Sequence, residues 1–253
     1  MLFRSRPVPD SLQPLPTPAK TLDFIQLQSF VRDPLRAFFN QRLKVYFDDA
    51  DAAAEDEEPF ALDRLDHYQL SDYLVHAALD AEDENDALGR LEEAARSLAR
   101  SGRLPLAGFG ERLRQALIAP LPPLLARHRE LRADWPDAPS APVGIDLPHG
   151  TARLQGWLAG LRTNGKGEHL LLEVAPNEIG ADNKRLKWPR LIRPWVAHLA
   201  GNAMGLRQQT ILLATDAELS FPPLAADQAR TWLAALLDAW EAGMCSPPPV
   251  AVR

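Results

Sequence analysis

Two apolar runs on either side of an Asn-Gly pair constrain this chain more than any other feature. Leu154-Gln-Gly-Trp-Leu-Ala159 and Leu170-Leu-Leu-Glu-Val-Ala175 read as neighbouring strands, joined by the tight polar turn Thr163-Asn-Gly-Lys-Gly167. Asn164-Gly165 is a strong hairpin signal, because both central residues of a type I′ turn take positive φ. Gly160 to Gly167 also matches the outline of a phosphate-binding loop, G-x-x-x-x-G-K. That loop needs Ser or Thr after its lysine and must open a helix. Here Gly167 follows Lys166 and a strand follows that, so a plain turn is expected.

Around this hairpin the pattern is mixed. Met1 to Lys20 holds five prolines and little apolar periodicity, which reads as a linker over residues 1–21. Ordered structure begins with Leu22 to Val31, and Asp33-Pro34 reads as the N-cap and first residue of a helix. That helix sets Leu35, Phe38, Phe39 and Leu43 in a core-facing stripe. From about residue 62 to 132 the period is helical. Leu70, Tyr73, Leu74, Ala77 and Ala78 form one face, and Leu88, Leu91, Ala95 and Leu98 form the next. Ser101-Gly102 ends the second helix, and Pro120-Leu-Pro-Pro123 breaks a third.

Strands are expected over Val143–Leu147, Ala152–Leu161 and His169–Val174. A helix over Trp188–Met204, a buried strand over Gln209–Ala214 and an amphipathic helix over Leu224–Gly243 follow. The last clusters Ala225, Ala229, Trp232, Leu233, Leu236, Leu237 and Trp240. This order predicts an α/β (α+β) domain over 22–253, with a helical elaboration at about 62–132 and a mixed sheet core at about 143–243.

Charge is uneven. Of 34 acidic residues, seven fall in Asp48–Glu58, a segment read as a solvated loop, and the rest of the chain sets 28 basic against 27 acidic residues. The single cysteine, Cys245, excludes an internal disulfide framework and fits a reducing cytoplasm. No run approaches the roughly 20 apolar residues of a membrane span, so no membrane partner is expected. The six histidines lack metal-ligand spacing, and no metal or cofactor is expected.

The candidate for phosphate contact is Lys184-Arg-Leu-Lys-Trp-Pro-Arg-Leu-Ile-Arg193, five cations with no acid. Lys184, Arg185, Lys187, Arg190 and Arg193 would meet a DNA backbone, and Trp188 would stack on an unpaired base. The simpler reading, a charged helix start with Trp188 packed inward, is favoured because aromatic side chains mostly bury.

Leu27-Gln-Ser-Phe-Val-Arg-Asp-Pro-Leu-Arg-Ala-Phe-Phe-Asn-Gln-Arg-Leu43 resembles the entry helix of RecB-family nuclease domains, in which Cys-Pro stands where this chain has Asp33-Pro34. More specifically the chain is similar to the C-terminal part of the RecC family, the gamma subunits of exodeoxyribonuclease V. The likeness rests also on Glu58-Pro-Phe-Ala-Leu62, Tyr68-Gln-Leu70, Leu104-Pro-Leu-Ala-Gly-Phe-Gly110, Gly156-Trp-Leu158 and Phe221-Pro-Pro-Leu-Ala-Ala226, and runs from about Leu22 to Pro248.

The resemblance implies a restriction-endonuclease-like (RecB-type nuclease) core with a helical insertion. It also implies partnership with RecB-like and RecD-like subunits and with DNA, as a scaffold and strand guide rather than an enzyme. Live nucleases of this class carry an Asp on one strand and Asp/Glu-x-Lys on the next to hold Mg²⁺. Here the histidine position falls at about Gln69, the metal aspartate at Ala159 and the lysine at Ala175, and Glu173 alone remains. Two alternatives stay open: a divergent nuclease using Asp146, Glu173 and Asp182, and a protein-interaction module that does not touch DNA.

Overall fold

Alternation along single strands fixes the layers of this molecule. The computed structural model describes residues 15–16, 21–46, 64–105, 107–137, 141–180 and 186–246. The acidic run 48–58, and all of the proposed linker except residues 15, 16 and 21, lie outside them. The elements in order are β1 (Thr21–Asp23), α1 (Phe24–Arg32), α2 (Pro34–Ala37) and a π-helix (Phe38–Leu43). Then come α3 (Arg64–Ala78), α4 (Glu84–Arg100), α5 (Ala107–Ile118), α6 (Leu121–Asp134), β2 (Val143–His149), β3 (Ala152–Leu158), β4 (Leu161–Thr163) and β5 (Glu168–Val174). A 3₁₀ turn (Trp188–Arg190), α7 (Ile192–Ala203), β6 (Arg207–Leu213), β7 (Glu218–Phe221) and α8 (Ala226–Cys245) complete the fold.

The strands make two mixed sheets, β1-β3-β2 and β4-β5-β6-β7. In the second, β5 and β6 run parallel with α7 as the crossover, and β4 and β7 are antiparallel edges. Successive strand residues point to opposite faces. Leu170, Leu172 and Val174 of β5, with Ile211 and Leu213 of β6, therefore pack on the block α3–α6. Leu171 faces the other way, onto Ala197 and Ala200 of α7. That helix lies between the two sheets, with Pro194 and every residue from Val196 to Ala203 buried. A second core joins Leu154 of β3, Leu27 and Phe30 of α1, Leu199 of α7, and Leu233, Leu237 and Trp240 of α8.

Local signals place most boundaries as read. Asp23 and Gln26 form a capping box on α1, and Asp33 Oδ1 accepts from the Arg36 backbone N–H at 2.9 Å to start α2. Gly102 (φ +72) closes α4 with paired backbone bonds, Arg103 N to Leu98 O at 3.0 Å and Gly102 N to Ala99 O at 3.1 Å. Pro122 and Pro123 open α6, where each missing N–H is harmless.

Several expectations fail. The strand expected over Ala152–Leu161 is two: the chain breaks at Ala159-Gly160, with Gly160 at φ +74, into β3 of one sheet and β4 of the other. The two runs read as neighbours are thus not paired; β5 pairs with the short β4 and with β6. The turn is not type I′, because Asn164 does not take positive φ. The loop instead uses Gly165 (φ +70) and Gly167 (φ +74), while Asn164 Oδ1 accepts from the Lys166 N–H at 3.0 Å. Leu43, Tyr73, Leu88 and Trp232 are exposed rather than core-facing. For Leu43 the cause is the π-helix, whose wider turn rotates the stripe after Phe38 away from the interior.

Candidate nucleic-acid interface

Of the four positions singled out by the resemblance, Glu173 and Ala175 lie at the far end of β5, whereas Gln69 is not among the residues that meet them there. Glu173 shares the α7-facing side of the strand with Leu171, and its side chain is 19% exposed. Burial raises its carboxyl above the ordinary value, and the Arg193 guanidinium, with Nε 3.7 Å from Oε1, pulls the other way. Leu161 pairs with Leu171, so continuing that antiparallel register by two places would set Ala159 opposite Glu173. Ala175 follows the strand, and its N–H continues the ladder to Leu213 O at 2.7 Å. The side chain packs into an apolar cluster of Ile179, Leu191, Leu212 and Ala214. Gln69 stands on the exposed side of α3.

A nuclease Mg²⁺ ion needs several oxygen ligands. Of these positions only Glu173 offers a carboxylate, and it is matched with Arg193, so the residues present do not fit the ion. Among the described residues no three His, Cys, Asp or Glu side chains group in a way that could hold a metal. Asp146 lies on β2 in the other sheet, held by two bonds from Arg153, and Asp182 lies outside the described residues.

Beside this end of the sheet is a cleft of about 330 Å³, where His67 and Ser71 of α3 meet residues following β5 and β6. Lys187 and Arg190 line it. The structure thus brings two of the three described cations of the basic stretch to this cleft. Lys184 and Arg185 lie outside the described residues. The Lys187 N–H donates to Ile179 O at 2.8 Å, anchoring the start of the 3₁₀ turn. The turn projects Lys187, Trp188 and Arg190, and Arg193 stands exposed on α7 beyond it. Lys187 Nζ is 3.8 Å from Glu178 Oε2, and Arg190 donates to the Glu178 carbonyl. Exposed pairs of this kind contribute about 0–1 kcal/mol, little enough for a phosphate to displace.

Trp188 is 69% exposed and does not pack inward, which overturns the favoured simpler reading of the stretch. Its helix-start half was correct, since α7 does begin just after it. Trp188 borders an apolar hollow of about 530 Å³ floored by Ile192 and Trp195 of α7 and by Phe221. Trp195 in turn contacts Phe221 and Trp232, with ring centroids 5.3 and 5.5 Å apart.

Behind that floor lies a polar network that periodicity does not reveal. His198, Asn202, Gln208 and Thr210 are fully buried. His198 Nδ1 lies 3.0 Å from Thr210 Oγ1, and Gln208 Nε2 donates to the same hydroxyl at 2.9 Å. Asn202 Oδ1 accepts from the backbone of Gln208 and of Leu224, each at 3.2 Å. Burial lowers the His198 pKa to about 4, so the imidazole is neutral at pH 7. Only His198 and Asn202 carried a sequence signal, as polar residues flanked on both sides by apolar or small ones; Gln208 sits between Arg207 and Gln209 and carried none.

Residues 19–253 match the family model described as the RecC C-terminal domain. The chain is 31% identical over 239 residues to the RecBCD enzyme subunit RecC of Escherichia coli, covering 93% of this chain and 19% of that protein. It is 38% identical over 85 residues to the RecBCD enzyme subunit RecC of Haemophilus influenzae, covering 34% of this chain and 7% of that protein. The chain therefore spans less than a fifth of the length of these relatives, and it belongs to the family of RecC C-terminal domains.

Proposed function

We propose that this chain is the nuclease-like, non-catalytic domain of a RecC subunit. It serves the cytoplasmic RecBCD exonuclease V complex as a scaffold for RecB-like and RecD-like subunits and as a guide for DNA strands during double-strand-break repair and recombination. The observation that carries this reading is the set of exposed side chains Lys187, Arg190 and Arg193 around a Trp188 that 69% exposure leaves open to a base. Its catalytic half draws support from chemistry: Ala159 and Ala175 cannot ligate a metal or polarise a phosphate, and Glu173 is matched with Arg193.

The protein-interaction reading has an observation of its own. Trp157, on the outer face of β3, is 72% exposed and offers a partner a large aromatic surface. Scaffolding and strand guidance are compatible on different faces of one domain.

The test replaces Lys184, Arg185, Lys187 and Arg190 with Glu in the full-length subunit assembled with its partners. Affinity for a forked duplex end should fall, and the dependence of binding on salt should become shallower by about 0.7–0.9 per lost phosphate contact. Unchanged affinity with an unchanged salt slope would sink the strand-guide role.

A further inference from the structure

Bordered by Pro189 of the 3₁₀ turn, α1, α2 and the π-helix line an open groove of about 720 Å³. Three cations line it: Arg32, Arg36 and Lys44. The single acid in its wall, Asp33, already accepts the Arg36 backbone N–H as the cap of α2. Among the described residues, Arg32 and Lys44 have no carboxylate partner. Two large side chains with no business in water stand beside the cations, Ile25 at 72% and Tyr46 at 69% exposure.

The backbone here departs from ordinary helix. The π-helix Phe38–Leu43 is of a kind found often at functional positions, and Lys44 closes it at φ +57. A left-handed lysine is uncommon, and this one turns the chain so that Lys44 and Tyr46 reach the groove instead of continuing the helix. Asn40 also lines the groove, and its Oδ1 is buried with no hydrogen-bond partner among the described residues.

We infer that this groove is a second binding site for single-stranded nucleic acid, continuous through Pro189 and Trp188 with the Lys187–Arg193 segment. The inference rests on the strand-guide reading and extends it to residues that the basic stretch does not include. The chemistry favours a single strand over a duplex. Cations track the phosphates, while exposed aromatic and apolar side chains gain partners only when bases are out of a stack.

The test is fluorescence anisotropy of a labelled oligo(dT) with the 253-residue chain, over a salt series. R32Q/K44Q should flatten the salt dependence by about 1.4, two single-strand contacts at about 0.7 each. Y46A should weaken binding about tenfold, and Y46F, which keeps the ring, should retain it. Thermal melts of all variants should match wild type, since Arg32, Lys44 and Tyr46 are exposed. K187Q/R190Q separates the two proposals. If it weakens binding while R32Q/K44Q and Y46A do not, the groove proposal is overturned and the strand-guide reading stands. If the wild-type chain binds no oligo(dT), both fall. Binding of a Glu-rich peptide in place of oligo(dT), lost in R32Q/K44Q, would make the occupant an acidic protein segment and would overturn the nucleic-acid assignment.

Discussion

Glu173 is the residue at which the likeness to nuclease strands meets the chemistry of this domain. Its position came from the likeness to nuclease strands, but its environment could not be read from sequence. Neither the burial that raises its pKa nor the Arg193 opposite it is local in the chain. The sign of the pH effect follows directly. A carboxyl whose folded pKa is raised binds its proton more tightly in the folded state, so stability falls as pH rises from about 4.5 through the raised value. Glu173→Gln should therefore be neutral below pH 4.5 and stabilising at pH 8. Urea unfolding at the two pH values checks this, and a destabilised Gln variant at pH 8 would mean that the Arg193 contact outweighs the burial. The basic stretch teaches the converse lesson. Burial statistics argued for an inward Trp188, yet Pro189 and the 3₁₀ turn hold it outside.

At the scale of elements, helix-capping signals survived, while the pairing of the two apolar runs and the shortest segments did not. Capped helices were legible because Asp33, Gly102 and the Pro122-Pro123 pair act on their own neighbours. β1 and β7, three and four residues long, carry too little period to be seen, and both exist because a longer strand offers them an edge. The break at Gly160 was missed because apolar residues continue on both sides of it; only the positive φ separates one sheet from the other. Close helix packing was equally invisible. Gly243 of α8 admits the Phe30 ring so closely that a Cβ there would lie 2.6 Å from it. Gly243→Ala should cost about 1–3 kcal/mol by overpacking, seen as a lower Tm. Adding Phe30→Leu should recover part of the loss. Independent, additive losses would show that the two elements do not meet this way.

At the scale of the molecule, two sheets share α7, and the helical block covers the opposite face of the larger one. The mixed α/β class was legible from element order. The division into two sheets was not, since it depends on pairings between distant residues. The arrangement leaves the end of β5 closed by the apolar cluster around Ala175, while the charged and aromatic residues line the surface beside it. In the proposed function, contact with DNA and absence of cleavage belong to one surface, and cleavage is the sharper to measure. End-labelled single-stranded and forked duplex DNA should be incubated with the purified chain and Mn²⁺. Intact DNA is the predicted result. Degradation that disappears in Glu173→Ala would contradict it and make this domain a working nuclease.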